Sequence, residues 1–241
     1  MNDAALSFSL AAEAGRLLQD LQKSGRFEGK ALGDAGDRLA NAFLCNALHR
    51  ERPDDALLSE EEKDTIDRCA VDRVWIIDPL DGTREYSEGR SDWAVHVALS
   101  VSGIATDGAV ALPGLGVTLG SDNPPALGAA HNPLRMLVSR TRPAPEAVAV
   151  AKALGAELVP MGSAGAKAMA VVRGEADIYL HTGGQYEWDN CAPVAVAQAA
   201  GLYCSRIDGS PMRYNAANPY LPDLLICRQE LVADIMAAMQ L

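Results

Sequence analysis

No stretch of this 241-residue chain is apolar for long. Its unbroken apolar runs are short, such as Val74-Trp75-Ile76-Ile77. A bilayer-spanning helix needs roughly 20 such residues, so no membrane association is expected. The first residues, Met1-Asn2-Asp3, carry no basic charge, and Glu13 and Arg16 interrupt the apolar residues that follow. A secretory signal is therefore not expected. Positive charge is also scarce, with 21 Lys and Arg against 32 Asp and Glu and a net charge of −11. A protein that binds nucleic-acid polymers usually presents a basic face, so this balance argues against that class. A small anionic substrate stays open, because bound cations can reverse the local sign of a site. Cysteine is sparse and odd in number: Cys45, Cys69, Cys191, Cys204 and Cys227, with no CxxC pair. That set fits reduced thiols in the cytoplasm better than a disulfide framework. No His or Cys cluster supports a catalytic thiol. The four histidines show no ligand spacing, and His96, in an expected strand, reads as a satisfied core group.

What is present is an ordinary globular balance, 49% hydrophobic and 22% charged residues, enough for one large domain or two small ones sharing a core. Apolar spacing of three and four predicts a helix over 6–21 and another over 37–50. Strands are expected at 74–77, 93–99, 109–112 and 117–119. A Gly, Pro, Asn and Asp-rich connector spans 120–134. Beyond it strands are expected at 136–138, 158–159, 178–180 and 224–227. They alternate with helices at 145–154, 166–172, 192–200 and 230–241. This alternation is an α/β layer pattern. We place the domain division at 1–132 and 133–241.

The chemistry starts at Asp78 and Asp81, beside a buried strand. Two dry, ionised carboxylates three residues apart repel each other, and a divalent cation removes the conflict. Oxygen donors suit magnesium, or manganese, rather than zinc. Asp-Pro and Asp-Gly are equally ordinary turn dipeptides, so the pair alone leaves both readings standing. Ser59-Glu60-Glu61-Glu62 puts acids at a strand end, though such runs also serve as solvated loops. Asp189 lies between Trp188 and a helix expected around Pro193, where it also reads as an N-cap.

The strings around these acids say more. Trp75-Ile76-Ile77-Asp78-Pro79-Leu80-Asp81-Gly82-Thr83 resembles the first signature of the inositol monophosphatase superfamily. Trp188-Asp189-Asn190-Cys191-Ala192-Pro193, followed by Ala-Ala-Gly at 199–201, resembles the second. Arg84-Glu85-Tyr86 and Gly162-Ser163-Ala164-Gly165-Ala166-Lys167 are similar to its CysQ-like branch. That branch removes the 3′-phosphate of adenosine 3′,5′-bisphosphate.

The resemblance implies a layered αβαβα sandwich and a cytoplasmic, lithium-sensitive phosphatase using two or three magnesium ions. Glu60, Asp78, Asp81 and Asp189 match side-chain metal ligands, and Leu80 matches a ligand through its carbonyl. Asp37 and Thr83 match the pair that activates water, with Glu60 as a further catalytic acid. Leu80, Asp81, Gly82, Thr83, Ser163, Lys167 and Asp189 match substrate contacts, Lys167 toward the second phosphate. The family has a threonine three residues before its aspartate, where this chain has Asp34. The expected partner is a small phosphorylated substrate, and a homodimer is compatible. Inositol 1-phosphate or fructose 1,6-bisphosphate are the competing substrates. A protein-binding role in a transcription complex is the competing class.

Overall fold

The computed structural model describes residues 1–64 and 66–240. Two helices open the chain, α1 (Asp3–Lys23) and α2 (Gly29–Glu51). A first sheet follows, in spatial order β1 (Ala56–Ser59), β2 (Arg73–Asp81), β3 (Ala94–Val101), β4 (Ile104–Leu112) and β5 (Val117–Gly120). The short helix α3 (Thr83–Ser87) leaves β2. The second sheet is built from β6 (Arg135–Ser139), β7 (Glu157–Met161), β8 (Ile178–Tyr186), β9 (Tyr203–Ser205) and β10 (Tyr220–Cys227), in the order β7-β6-β8-β10-β9. Helices α4 (Pro145–Leu154), α5 (Ala164–Val172), α6 (Glu187–Ala199) and α7 (Val232–Ala238) complete it.

Alternation along the strands dictates five layers. On β2, Trp75 and Ile77 join Leu10, Leu18, Leu44 and Leu48 of α1 and α2 in one apolar cluster. Val74 and Ile76, pointing the other way, join a central cluster with Met169 of α5 and Val194 of α6. The second sheet repeats the pattern: Leu137, Tyr179 and Ile226 face that central cluster. Met136, Ile178, Leu225 and Cys227 face α4 and Ile235 of α7. The order is therefore α1/α2, first sheet, α5/α6, second sheet, α4/α7, an αβαβα sandwich. β2 is unbroken apolar from Val74 to Ile77 because both its faces are covered there.

Five elements differ most from the sequence expectation. α2 begins at Gly29, eight residues before Asp37, and runs through Gly33 and Gly36. These glycines allow close approach: a Cβ on Gly33 would stand 2.8 Å from Thr83 Cγ2, and one on Gly36 would stand 3.1 Å from Leu80 Cδ2. Asp37 thus sits inside a helix laid against α3. β2 does not stop at Ile77 but continues to Asp81, with its register to β3 shifting between Asp78 and Asp81. Pro79 lacks an N–H and is accommodated at that irregularity. α6 starts at Glu187 and holds Pro193 in its interior, so Asp189 lies in its first turn. β8 likewise extends past the expected 178–180, through Gly183-Gly184 to Tyr186. The closing helix shortens to α7, and Leu241 lies outside the described residues.

Candidate active site

The first signature folds into a strand end, a left-handed glycine and a helix start. Gly82 has φ 87°, and a Cβ there would meet Ser163 Cβ at 3.1 Å, so glycine is required on two counts. Thr83 opens α3, and its hydroxyl stands 3.1 Å from the Leu80 carbonyl and 3.4 Å from Asp37 Oδ1. The two expected water-activating residues, 46 positions apart, are thus brought together. Burial, reinforced by the charge of Glu61, pushes the Asp37 carboxyl up to about 7, against the hydrogen bond from Thr83.

Asp78, Asp81 and Asp189 each place a carboxylate oxygen within 4.8 Å of the others. Asp78 is 1% exposed, and its Oδ1 accepts the Leu80 N–H at 3.0 Å. Burial, then the charges of Glu60 and Asp81, hold it well above the usual carboxylate range. Asp189 is pushed up to about 6 by burial and by Asp81, although its Oδ2 accepts the Tyr186 N–H at 2.6 Å. The N-cap reading of Asp189 is therefore half right: it ties down the start of α6 from inside the first turn. Glu60 is exposed at the rim, and partial desolvation with the charge of Asp189 pushes its carboxyl up to about 7. Of its neighbours, Glu62 accepts from Asn41 Nδ2 at 2.7 Å, while Glu61 faces Asp37.

Asp81 is the exception. Burial alone would raise it, but His96, Ser163 and the Gly165 amide bring it down to about 2. Its Oδ2 accepts from Ser163 Oγ at 2.5 Å and Gly165 N at 2.6 Å, and its Oδ1 from Ala164 N at 3.1 Å. The carboxylate therefore plugs the N-terminus of α5, where free amides and the helix dipole favour negative charge.

His96 is the residue that sequence reasoning passed over. Its Nδ1 lies 2.9 Å from the Trp188 carbonyl, which only accepts, so Nδ1 carries a proton. Its Nε2 stands 3.2 Å from Asp81 Oδ2, off the line of a good hydrogen bond, so that contact is chiefly one of charge. The fully buried ring thus bridges the first signature to the second, and its pKa is raised because Asp81 outweighs the cost of burial. The only sequence signal for it was a histidine set in an otherwise apolar strand.

Residues 3–239 match the sequence profile of the inositol monophosphatase family. The chain belongs to the inositol monophosphatase family. It is 49% identical over its whole length to a Mycobacterium leprae protein named 3′-phosphoadenosine 5′-phosphate phosphatase, covering 94% of that protein. It is 28% identical to the 3′(2′),5′-bisphosphate nucleotidase CysQ of Escherichia coli, over 78% of this chain and 81% of that one. Its fold superposes on CysQ from Bacteroides thetaiotaomicron with a TM-score of 0.80 at 23% identity, covering 94% and 97% of the two chains.

Inositol monophosphatase family members depend on magnesium. The three clustered aspartates and the Leu80 carbonyl offer oxygen donors only, which suit that ion. The crowding that pushes three carboxyls upward is what a divalent cation would relieve. The Leu80 carbonyl is already bonded to Thr83, but a second lone pair remains. Lys167, 5% exposed, donates instead to the carbonyls of Gly162 and Ser163, 2.9 Å away for Gly162, and lies over the Tyr179 ring. Burial lowers it to about 8. Of Arg84-Glu85-Tyr86, Glu85 binds Arg140 at 2.9 Å, Tyr86 donates to the Leu18 carbonyl, and Arg84 pairs with Glu88. Glu85 and Tyr86 thus tie α3 to other elements, while Arg84 pairs with its own helix's end. No helix among the described residues is long and apolar enough to cross a membrane.

Proposed function

We propose that this protein hydrolyses the 3′-phosphate of adenosine 3′,5′-bisphosphate, giving AMP and phosphate, in the cytoplasm. One observation carries the reaction class: an oxygen-only carboxylate cluster, formed where the end of β2 meets the start of α6, lies beside a half-buried threonine–aspartate pair. The substrate follows from the roughly half-identical mycobacterial proteins named for it. The site lies between an N-terminal part, 1–132, and a C-terminal part, 133–241. Glu60, Asp78, Asp81, Asp189 and the Leu80 carbonyl would hold two or three magnesium ions, with manganese a workable substitute. Bound there, the ions would neutralise phosphoryl oxygens and acidify water.

The chain's own groups do the rest. Thr83 Oγ1 accepts a hydrogen from the attacking water and passes its own proton to Asp37 Oδ1. A carboxyl poised near 7 suits that exchange at neutral pH. Glu60, also poised near 7 at the rim, orients the same water. Water attacks phosphorus, the bond from phosphorus to the ribose 3′-oxygen breaks, and that oxygen leaves with a proton from solvent. Gly82 and Thr83 present backbone N–H groups to the phosphate, and Gly82 lets it approach closely. Ser163 and Lys167 support the far side, Ser163 by donating to Asp81 and Lys167 by its positive charge and the turn it braces. Beside them a cavity of about 430 Å³ is lined by Arg142, His181, Gly183 and Gly184. Arg142 would meet the second phosphate there, although Glu146 lines the same cavity and burial lowers the His181 pKa.

The test is phosphate release from adenosine 3′,5′-bisphosphate, inositol 1-phosphate and fructose 1,6-bisphosphate, with and without magnesium. We expect no turnover without the metal and the highest kcat/KM on the nucleotide. Preference for inositol 1-phosphate would overturn the substrate assignment. Metal-independent release would overturn the mechanism.

A further inference from the structure

We infer that Tyr186 and Tyr220 form a stacking platform for the purine base, an assignment that rests on the nucleotide reading above. The two residues are directly paired across β8 and β10, at the end of the sheet where β8 turns into α6. Both are 45% exposed. Tyr86, Tyr179 and Tyr214, by contrast, are buried. Cross-strand pairing of the rings steadies the sheet end, yet nearly half of each residue stays open to solvent.

The rings are also held in place. Tyr186 lies parallel on Trp188, with centroids 4.8 Å apart and planes 9° from parallel. Trp188 in turn packs against the central core. Tyr220 meets Tyr186 edge-on, at 5.9 Å and 79°. The Tyr186 N–H is bonded to Asp189, which fixes the root of the ring to the acid cluster. Gly184, at φ 95°, has the Tyr220 ring where its Cβ would be, with the nearest atoms at 2.6 Å. The glycine is therefore the seat of Tyr220, which explains a Gly-Gly pair inside a strand.

A rigid, uncharged π surface rooted beside a metal-binding carboxylate suits a flat base one ribose away from the reacting phosphate. Every purine has a π face, and inositol and fructose phosphates have none. The platform would thus favour nucleotides by stacking and not by reading base edges.

The experiment compares the wild type with Tyr186→Leu, Tyr220→Leu and the conservative Tyr186→Phe. Two ratios are measured: kcat/KM for adenosine 3′,5′-bisphosphate over inositol 1-phosphate, and inhibition by adenosine 5′-monophosphate over ribose 5-phosphate. Stacking on one base is worth a factor of roughly 5 to 150. Each ratio should fall by about that factor in the leucine variants, through KM rather than kcat. Tyr186→Phe should stay within about threefold of wild type, because the π face is kept. Trp188 fluorescence should also change on adding adenosine 5′-monophosphate but not ribose 5-phosphate. Unchanged ratios in both leucine variants would overturn the platform, as would equal losses on all substrates. A wild type with no preference for the nucleotide would instead overturn the reading on which the platform rests.

Discussion

The crowded carboxyls make the metal-free protein respond to pH in an unusual direction. Asp37, Glu60 and Asp189 titrate at about 7, 7 and 6 in the folded chain, above their ordinary range. A folded state that holds protons more tightly than the unfolded chain loses stability as pH rises through the folded value. Stability should therefore fall between pH 5 and pH 7.5 when no divalent ion is present. His96, also raised, acts in the same direction. Asp81, held near 2, contributes a constant amount across this window, and Lys167, near 8, titrates above it. For Asp189 alone, the stretch from pH 5 to about 6 corresponds to about 1.4 kcal/mol. The groups share one cluster and relieve one another, so that figure serves for the set. At about 2–4 °C per kcal/mol for a chain of this size, Tm should drop by about 3–6 °C. Magnesium should restore it: at about 100 times its Kd, a bound ion adds about 2.7 kcal/mol. At pH 5 protons compete for the same oxygens, so the magnesium increment should be smaller there. The assay is thermal unfolding in chelator and in magnesium at both pH values. A metal-free Tm that rises from pH 5 to pH 7.5, or equal magnesium increments at both, would refute the reasoning.

Other outcomes follow from the same geometry. Asp78→Asn keeps the bond to the Leu80 amide but removes a repelling charge. Turnover should fall by at least about 100-fold while the metal-free Tm holds or rises. Gly165→Ala would put a Cβ 2.0 Å from His96 Nε2. The resulting shift should cost about 1–3 kcal/mol and weaken magnesium binding by calorimetry; unchanged affinity would deny His96 its bridging role. Lys167→Ala leaves the Gly162 and Ser163 carbonyls without their buried donor, so kcat/KM should fall on nucleotide and inositol substrates alike. A loss confined to the nucleotide would make Lys167 a direct phosphate contact. Lithium should inhibit at or below about millimolar concentration, and calcium, with longer bonds and more ligands, should not support turnover; full activity in calcium alone would count against the oxygen cluster as a magnesium site.

Local chemistry determined a good deal of this protein. The two long strings around Asp78 and Asp189 were readable because each packs its function into contiguous residues. Strand periodicity gave the alternating α/β order for the same reason, since side-chain direction repeats every two residues. What contiguous residues could not settle is anything that depends on two distant segments meeting. A helix was expected only from Asp37, yet α2 begins at Gly29, and its Gly33 and Gly36 are where α3 and Leu80 press against it. Asp-Pro-Leu-Asp looked like a turn, but pairing with β3 keeps it in the sheet. His96 had no signature at all, because its partners, Asp81 and the Trp188 carbonyl, lie 15 residues before it and 92 after. Lys167 was expected to reach toward a second phosphate, but packing of α5 between the sheets buries it against its own turn. Whether a polar group meets solvent, substrate or a buried partner is decided by which layers close over it, and only the tertiary structure fixes that.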